Sequence, residues 1–525
     1  MKYGIKSEKI IRKNYNQFIE EAGIKKEIDE ENQKKLAKIS KPKLNENIEN
    51  LINNKIYGES NIENSFSELN INNLNNELIN SSNINLTKKI IYDNGEIYIG
   101  DIKKGLKHGK GIMHYKSKDE KLYEGDFKEN KREGKGILYY NNGDRYEGDF
   151  QNNKRNGKGI LYYNNGDKYE GLFENDLIEG MGTDIYKDES KYEGEFKNNK
   201  REGFGIYYFN NGNKYVGEFK NNLREGFGIL YFNNGDRYEG EFKNDLVDGV
   251  GIYFYKNGER YEGEYKKNIR EGKGSFYFNN MDWYEGNFIN NLRQGKGLYH
   301  YNKGDEYYGD FHKNVKEGNG VLYYNNGDKY KGKFKNNRRE GKGILNYNNG
   351  DKYEGMFKNN IREGEGKLFY HNGDRYEGNF KNDIRKGKGT LFFKNGNIIK
   401  GDFINDFKKG KGKIYYTNGD RYEGDIVKNK RDGKGILFYK NGDKYEGDFK
   451  NNLKHGKGKY YFKNGDSDEG DFFNDKNYGK HDIIKSNGER LTLFFKKDGN
   501  LDCNIFWKVN IWILSLKNNN FIFIC

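Results

Sequence analysis

Residues 123–145 read YEGDFKENKREGKGILYYNNGDR, and near-copies of this stretch fill the chain from residue 98 to residue 490. Repeats begin at residue 98 and then every 23 residues from 123 to 468, which makes 17, with a two-residue insertion only in the first. With the starting tyrosine as position 0, glycine stands at +2 and +11 in all 17 repeats, and at +13 in every repeat but the one holding His481. The tyrosine gives way only at Ile399 and Asp468, and the ring at +4 only at Ile102 and Ile426.

In one repeat Tyr146, Gly148 and Phe150 alternate with Glu147 and Asp149, the period of a strand with one apolar face. In its second half Gly157, Gly159, Leu161 and Tyr163 share one face, and Lys158, Ile160 and Tyr162 the other. Asn-Gly in the NNGD connection predicts a type I′ hairpin turn with two positive-φ residues. The other connection, as in KNNKREG, is longer and polar and predicts an open loop. Glycine weakens a strand unless a ring covers the gap it leaves, so a ring from the neighbouring strand is expected over each strand glycine. These features predict an all-β fold: an elongated, single-layer antiparallel β-meander of 17 tandem hairpins. At about 4.8 Å per strand, two strands in each of 17 repeats give a ribbon on the order of 160 Å long.

The composition agrees with this thin architecture. Of 525 residues 70 are glycine and one is proline, and 16% are aromatic although only 33% are hydrophobic. Disordered chains are poor in aromatics, and a repeat array buries its rings against neighbouring repeats rather than in one deep core. The only cysteines, Cys503 and Cys525, provide neither a disulfide framework nor a four-cysteine zinc site. A reducing, cytoplasmic setting is therefore expected. The N-terminus carries no signal peptide or myristoylation pattern. The apolar run at 505–516, IFWKVNIWILSL, is shorter than the roughly 20 residues needed to span a bilayer.

No catalytic, cofactor or metal site is expected. EGKGS and KGKGT depart from the phosphate-binding loop. The NGD turns lack calcium-loop spacing, and the seven histidines are scattered. Glu147 and Asp149 resemble a carboxylate dyad but recur in most repeats, as residues of a solvated face would. Position +9 is Lys or Arg in 14 of the 17 repeats, and position +10 is an acid in ten of the 17, which cancels most of the field. Residues 381–460 differ: 21 Lys and Arg stand against 10 Asp and Glu, a surplus of +11 out of the chain's +14. Here Arg385, Lys386, Lys408, Lys409, Lys411, Arg431, Lys454 and Lys457 are the candidate contacts. Such a surplus attracts anionic lipid headgroups or an acidic protein such as a tubulin tail. Nucleic acid is the weakest candidate, since no recognition fold accompanies the charge.

The pattern Y-x-G-x-aromatic followed by G-x-G, at strict 23-residue spacing, resembles the MORN repeat (membrane occupation and recognition nexus) over residues 98–490. Two features depart from that family: Phe stands where Trp is frequent, and the residue before the first glycine of G-x-G is mostly Glu, with His only at His108 and His455. The resemblance, together with an Asn-, Lys- and Ile-rich composition, suggests a protist protein. It implies a non-enzymatic scaffold linking cytoskeletal or membrane-associated proteins, with homodimers joined through terminal repeats. The alternatives it implies are an axonemal radial-spoke-type component, or a regulatory or targeting part of a phosphatidylinositol phosphate kinase system. The flanks, residues 1–97 and 491–525, are too short for a kinase domain. The first is Lys/Glu/Asn-rich and reads as helical or disordered, with Ile10, Ile11, Phe18 and Ile24 at roughly helical spacing. The second reads as a capping or interaction tail.

Overall fold

The computed structural model describes residues 88–502. They form two compact halves that divide after Leu292, and in each half consecutive strands pair antiparallel. Among the described residues there are 36 strands and no helix. The sheet is one layer thick, so its core is one of its own faces.

A single repeat shows how the sequence builds this. Strand Arg145–Gln151 pairs with strand Lys154–Tyr162, setting Tyr146 opposite Leu161, Gly148 opposite Gly159 and Phe150 opposite Arg155. On its other side Gly148 faces Gly136 of the preceding repeat. Tyr146 is completely buried, and its hydroxyl donates to Asp149 O at 3.0 Å. A Cβ on Gly148 would strike that hydroxyl and the Cα of Gly159, and a Cβ on Gly159 would strike the tyrosine ring. The covering ring thus comes from the glycine's own strand, two residues upstream, and one tyrosine roofs both glycines of a cross-strand pair. Tyr146 also meets Phe150 edge-on at 5.2 Å and Phe173 of the next repeat at 4.9 Å. Alternating Tyr–Phe contacts of this kind run from repeat to repeat and form the core of each half.

The two connections exchange the roles expected from sequence. Asn152 and Asn153 both have positive φ, 50° and 70°, so the polar KNNKREG-type connection holds the tight two-residue hairpin turn. In NNGD only the glycine is left-handed: Gly166 has φ 98° and donates to Tyr163 O, while Tyr163 N–H donates to Asp167 O. Asn165 Oδ1 accepts the N–H of Asp167 at 2.9 Å, an Asx turn that leaves the asparagine at negative φ. The expected solvated carboxylate Asp149 also has a structural task. The register shifts between Gly148 and Phe150, Gly157 takes φ 105° in the resulting bulge, and Asp149 Oδ2 accepts the N–H of Lys158.

Both ends of the array extend into the predicted flanks. Lys88–Ile91, inside the expected N-terminal extension, is a strand paired with Ile97–Lys103. Arg490–Phe495 is a strand paired with Lys476–Ile484. The helical or disordered reading of residues 1–87, the two cysteines and the apolar run 505–516 lie outside the described residues.

The last repeat replaces the roofing tyrosine by Asp468 and the +13 glycine by His481. The imidazole occupies the place of the lost ring: it lies over Gly470 and meets Phe472 and Phe495 edge-on at 5.1 Å each. His481 is fully buried, with Nδ1 2.7 Å from Asp468 Oδ1 and Nε2 2.7 Å from Asp471 O. Asp471 O accepts only and the Asp468 carboxylate accepts when ionised, an arrangement that favours hydrogen on both nitrogens, the imidazolium form. Burial opposes that charge, but the hydrogen bonds to Asp468 and to Asp471 O outweigh it and raise the pKa above the ordinary histidine value. A raised folded-state pKa stabilises fully below the unfolded value of about 6.5 and loses that stabilisation as pH climbs through the folded value. Hydrogen-exchange protection of residues 467–495, corrected for intrinsic rates, should therefore fall as pH rises above neutrality, and His481→Gln should abolish the dependence. Protection that rises with pH would contradict the imidazolium.

Candidate functional site

The hairpin that sets Phe150 opposite Arg155 also decides where the basic residues go. Position +9 lies on the ring face. Arg155 sits over Tyr146 and Phe173, and its guanidinium donates to Asp176 O at 2.6 Å, in the tight turn of the next repeat. It is a cation–π rivet between repeats. Four of the eight candidate contacts hold this position. Arg385 lies over Tyr376 and Phe403 and bonds the side chain and backbone of Asp406, with its own side chain 13% exposed. Arg431 lies over Tyr422 and Phe449 and donates to Asn452 O. Lys454 is enclosed by Tyr445, Tyr460 and Phe472, and burial lowers its pKa. Lys408 is completely buried. These four are framework, a correction to the expectation that they are surface contacts.

The other four face away from the rings. Lys386 and Lys409 hold position +10, Lys411 and Lys457 hold +12, and all four are exposed. Position +10 has its own structural meaning. In most repeats its side chain accepts a backbone N–H from the next repeat's tight turn: Glu133 from Asn152, Glu202 from Asn221, Glu363 from Asn382 and Asp432 from Asn451, at 2.8–3.1 Å. The acid after each arginine therefore caps a turn rather than pairing with that arginine. At Lys386 and Lys409 the capping acid is replaced by an ammonium, which cannot accept a hydrogen bond. The turns they face, at Asn405 and Lys428, thus present a backbone N–H beside a lysine instead of beside a carboxylate. These two places lie one repeat apart, or about 10 Å at two strand spacings.

Position +12 completes the surface. Lys110, Lys135 and Lys296 pair there with the +3 aspartate of the next repeat at 2.6–2.8 Å. Lys411 has Asp425 as its cross-strand neighbour, while Asp425 Oδ2 accepts the N–H of Lys434. Exposed Lys428, in the tight turn, and Lys430, which follows it, add charge beside Lys409. The sequence reading did not single out these two; a lysine pair around a turn whose capping acid is missing was the available signal. Among the described residues no group of three or more His, Cys, Asp or Glu is placed to hold a metal ion.

A comparison with curated proteins finds no match. Among solved structures, the TCP10 domain of Danio rerio CPAP in complex with a peptide of Danio rerio STIL is similar at 14% identity, covering 47% of this chain and 94% of that one, with a TM-score of 0.19. Virginiamycin B lyase from Staphylococcus aureus is similar at 11% identity, covering 56% of this chain and 94% of the lyase, with a TM-score of 0.10. Likeness at this level carries nothing about function. The family model for the MORN repeat, in contrast, matches 16 successive spans between residues 98 and 467. The repeat that starts at Asp468 lies beyond those spans, and its strands still set Gly470 opposite His481 and Phe472 opposite Asn477. The matched spans make up well over half of the sequence, and the chain belongs to the MORN-repeat family.

Proposed function

We propose that this chain is a non-enzymatic repeat scaffold that attaches to the cytoplasmic face of a membrane by binding anionic phospholipid through Lys386, Lys409, Lys411 and Lys457. The observation that carries the reading is the replacement of the turn-capping acid by lysine in two successive repeats. A phosphate oxygen from outside can accept the turn N–H that a glutamate accepts elsewhere, while the lysine supplies the opposite charge. The family supports the scaffold half of the proposal, because many equivalent hairpins present a long surface and no asymmetric reaction centre.

The test is flotation with vesicles containing phosphatidylinositol 4-phosphate, comparing the parent chain with Lys386→Glu/Lys409→Glu/Lys411→Glu. At about 1 kcal/mol per basic residue near the surface, losing three lysines should weaken binding by roughly a hundredfold. Binding by the parent should also decline as salt shortens the screening length below about 8 Å. Equal flotation of both proteins, or of neither, would refute the lipid reading. Phosphate transfer to the lipid when ATP is added would refute the non-enzymatic one.

A further inference from the structure

The face opposite the rings changes character in the first half of the chain. Position +12 is Lys in most repeats, but four successive repeats carry Met181, Phe204, Phe227 and Val250 there. Phe227, Ile229 and Ile252 form one buried cluster, with Phe204, Tyr231, Val250 and Phe254 packed against it, and Ile206 and Val216 form another beside it. The +14 isoleucines of these repeats are nearly sealed from solvent: Ile206 at 1%, Ile229 at 3% and Ile252 at 4% exposure. Their counterparts Ile137, Ile160, Ile344 and Ile436 are half-buried.

In-plane neighbours do not account for this sealing. Ser275 occupies the same +14 position beside Lys273 and is only 4% exposed, whereas Thr183 and Thr390 at that position are half-buried. Glu262 is also 4% exposed, against 31% for the side chain of Glu147 at the same place in its repeat. A single-layer sheet has no second layer to provide this cover, and the described residues of this half are only the strands and turns of the meander.

We propose that the chain's own N-terminal segment, residues 1–24, docks on this face of the repeats that begin at Tyr192, Tyr215, Tyr238 and Tyr261. The chemistry is complementary: MKYGIKSEKIIRK, residues 1–13, carries Lys2, Lys6, Lys9, Arg12 and Lys13 with three isoleucines and one acid. The face offers an apolar strip flanked by glutamates at +1 and +3, among them Glu193, Glu239 and Glu241. Reach is ample. From strand Lys88–Ile91 to strand Leu223–Tyr231 is twelve strand spacings, about 58 Å, and the 63 intervening residues 25–87 extend to roughly 200 Å. The segment therefore covers a surface that would otherwise expose a contiguous apolar patch, and a partner for that face has to displace it.

Thiol labelling tests the proposal in the full chain, with Cys503 and Cys525 changed to serine. Phe227→Cys reports on the covered face, and Lys342→Cys on the same +12 position where it is exposed. Labelling at position 227 should be at least about tenfold slower than at 342, since it requires the segment to lift. Reversing the charges (Lys2→Glu, Lys6→Glu, Lys9→Glu, Arg12→Glu and Lys13→Glu) leaves the array untouched and should bring position 227 to the reference rate. A peptide of residues 1–24 added to a chain lacking 1–87 should restore protection. If the truncated chain does not fold, the charge-reversed full chain decides alone. Protection that survives charge reversal, that appears only as protein concentration rises, or that is lost on removing residues 503–525 instead would overturn the assignment.

Discussion

Gly159→Ala should unfold its own repeat and the two beside it while distant repeats remain folded. The new methyl has no free space: it would enter the ring of Tyr146, which is fully buried and held by its bond to Asp149 O. The tyrosine must leave its seat, and both edge contacts, to Phe150 and Phe173, go with it. Losing a buried ring costs about 3–5 kcal/mol, and neighbouring repeats share the loss because a repeat array is held by nearest-neighbour interfaces. Hydrogen exchange localises the effect. Protection should drop across residues 123–185 and stay at the parental level in the repeats beyond residue 330. Gly166→Ala, at a turn glycine with φ 98°, should cost only about 1 kcal/mol. If the two substitutions have equal effects, the roofing role assigned to Tyr146 is wrong.

The roof was half legible in the sequence. Seventeen near-copies act as their own alignment, so the glycines at +2 and +13 and the ring at position 0 announce a steric demand before any coordinates exist. Asn-Gly is a good I′ signal by itself, but the local Asx bond, in which Asn165 Oδ1 accepts the N–H of Asp167, competes with it and holds the dipeptide in another turn. The consequence went further than the turn. A tight turn at Asn152–Asn153 forces +4 opposite +9, and so places Arg155 on the ring face beside Phe150. With the tight turn assigned to the other connection, the +9 cations looked like loop charges. The charge surplus of residues 381–460 points to Arg385, Lys408, Arg431 and Lys454 as surface contacts, and only the true position of the tight turn shows that they belong to the ring face. Lys386, Lys409, Lys411 and Lys457, at +10 and +12, are exposed, because these positions lie on the face away from the rings.

Lys408 shows most sharply what charge counting misses. Its repeat begins with Ile399, so no tyrosine roofs the pair Gly401 and Gly412. The lysine stem lies there instead, where a Cβ on either glycine would meet its Cε. The ammonium donates to the carbonyl oxygens of Lys409 and Gly410, both at 3.1 Å. Burial lowers the pKa of the amine, while Asp402 and Asp425 resist the shift. Lys408→Glu should therefore be among the most damaging single changes in the array. It sets a buried carboxylate, which only accepts, against two carbonyl oxygens, and an uncompensated buried charge of this kind costs about 3–5 kcal/mol. Lys408→Met keeps the stem over the glycines and removes the charge. Lys409 and Gly410 are exposed enough for water to replace the lost donor, so its cost should stay within about 1 kcal/mol. Ile399→Tyr alone should destabilise, because ring and stem compete for one place. Combined with Lys408→Arg it recreates the pairing of Tyr376 with Arg385, and the double variant should be more stable than either single one. Denaturant melts with exchange of residues 398–438 as the local probe measure all five variants, Lys408→Arg alone included. Equal losses for the glutamate and methionine variants would return Lys408 to the surface, and only then would it belong in a vesicle-binding experiment.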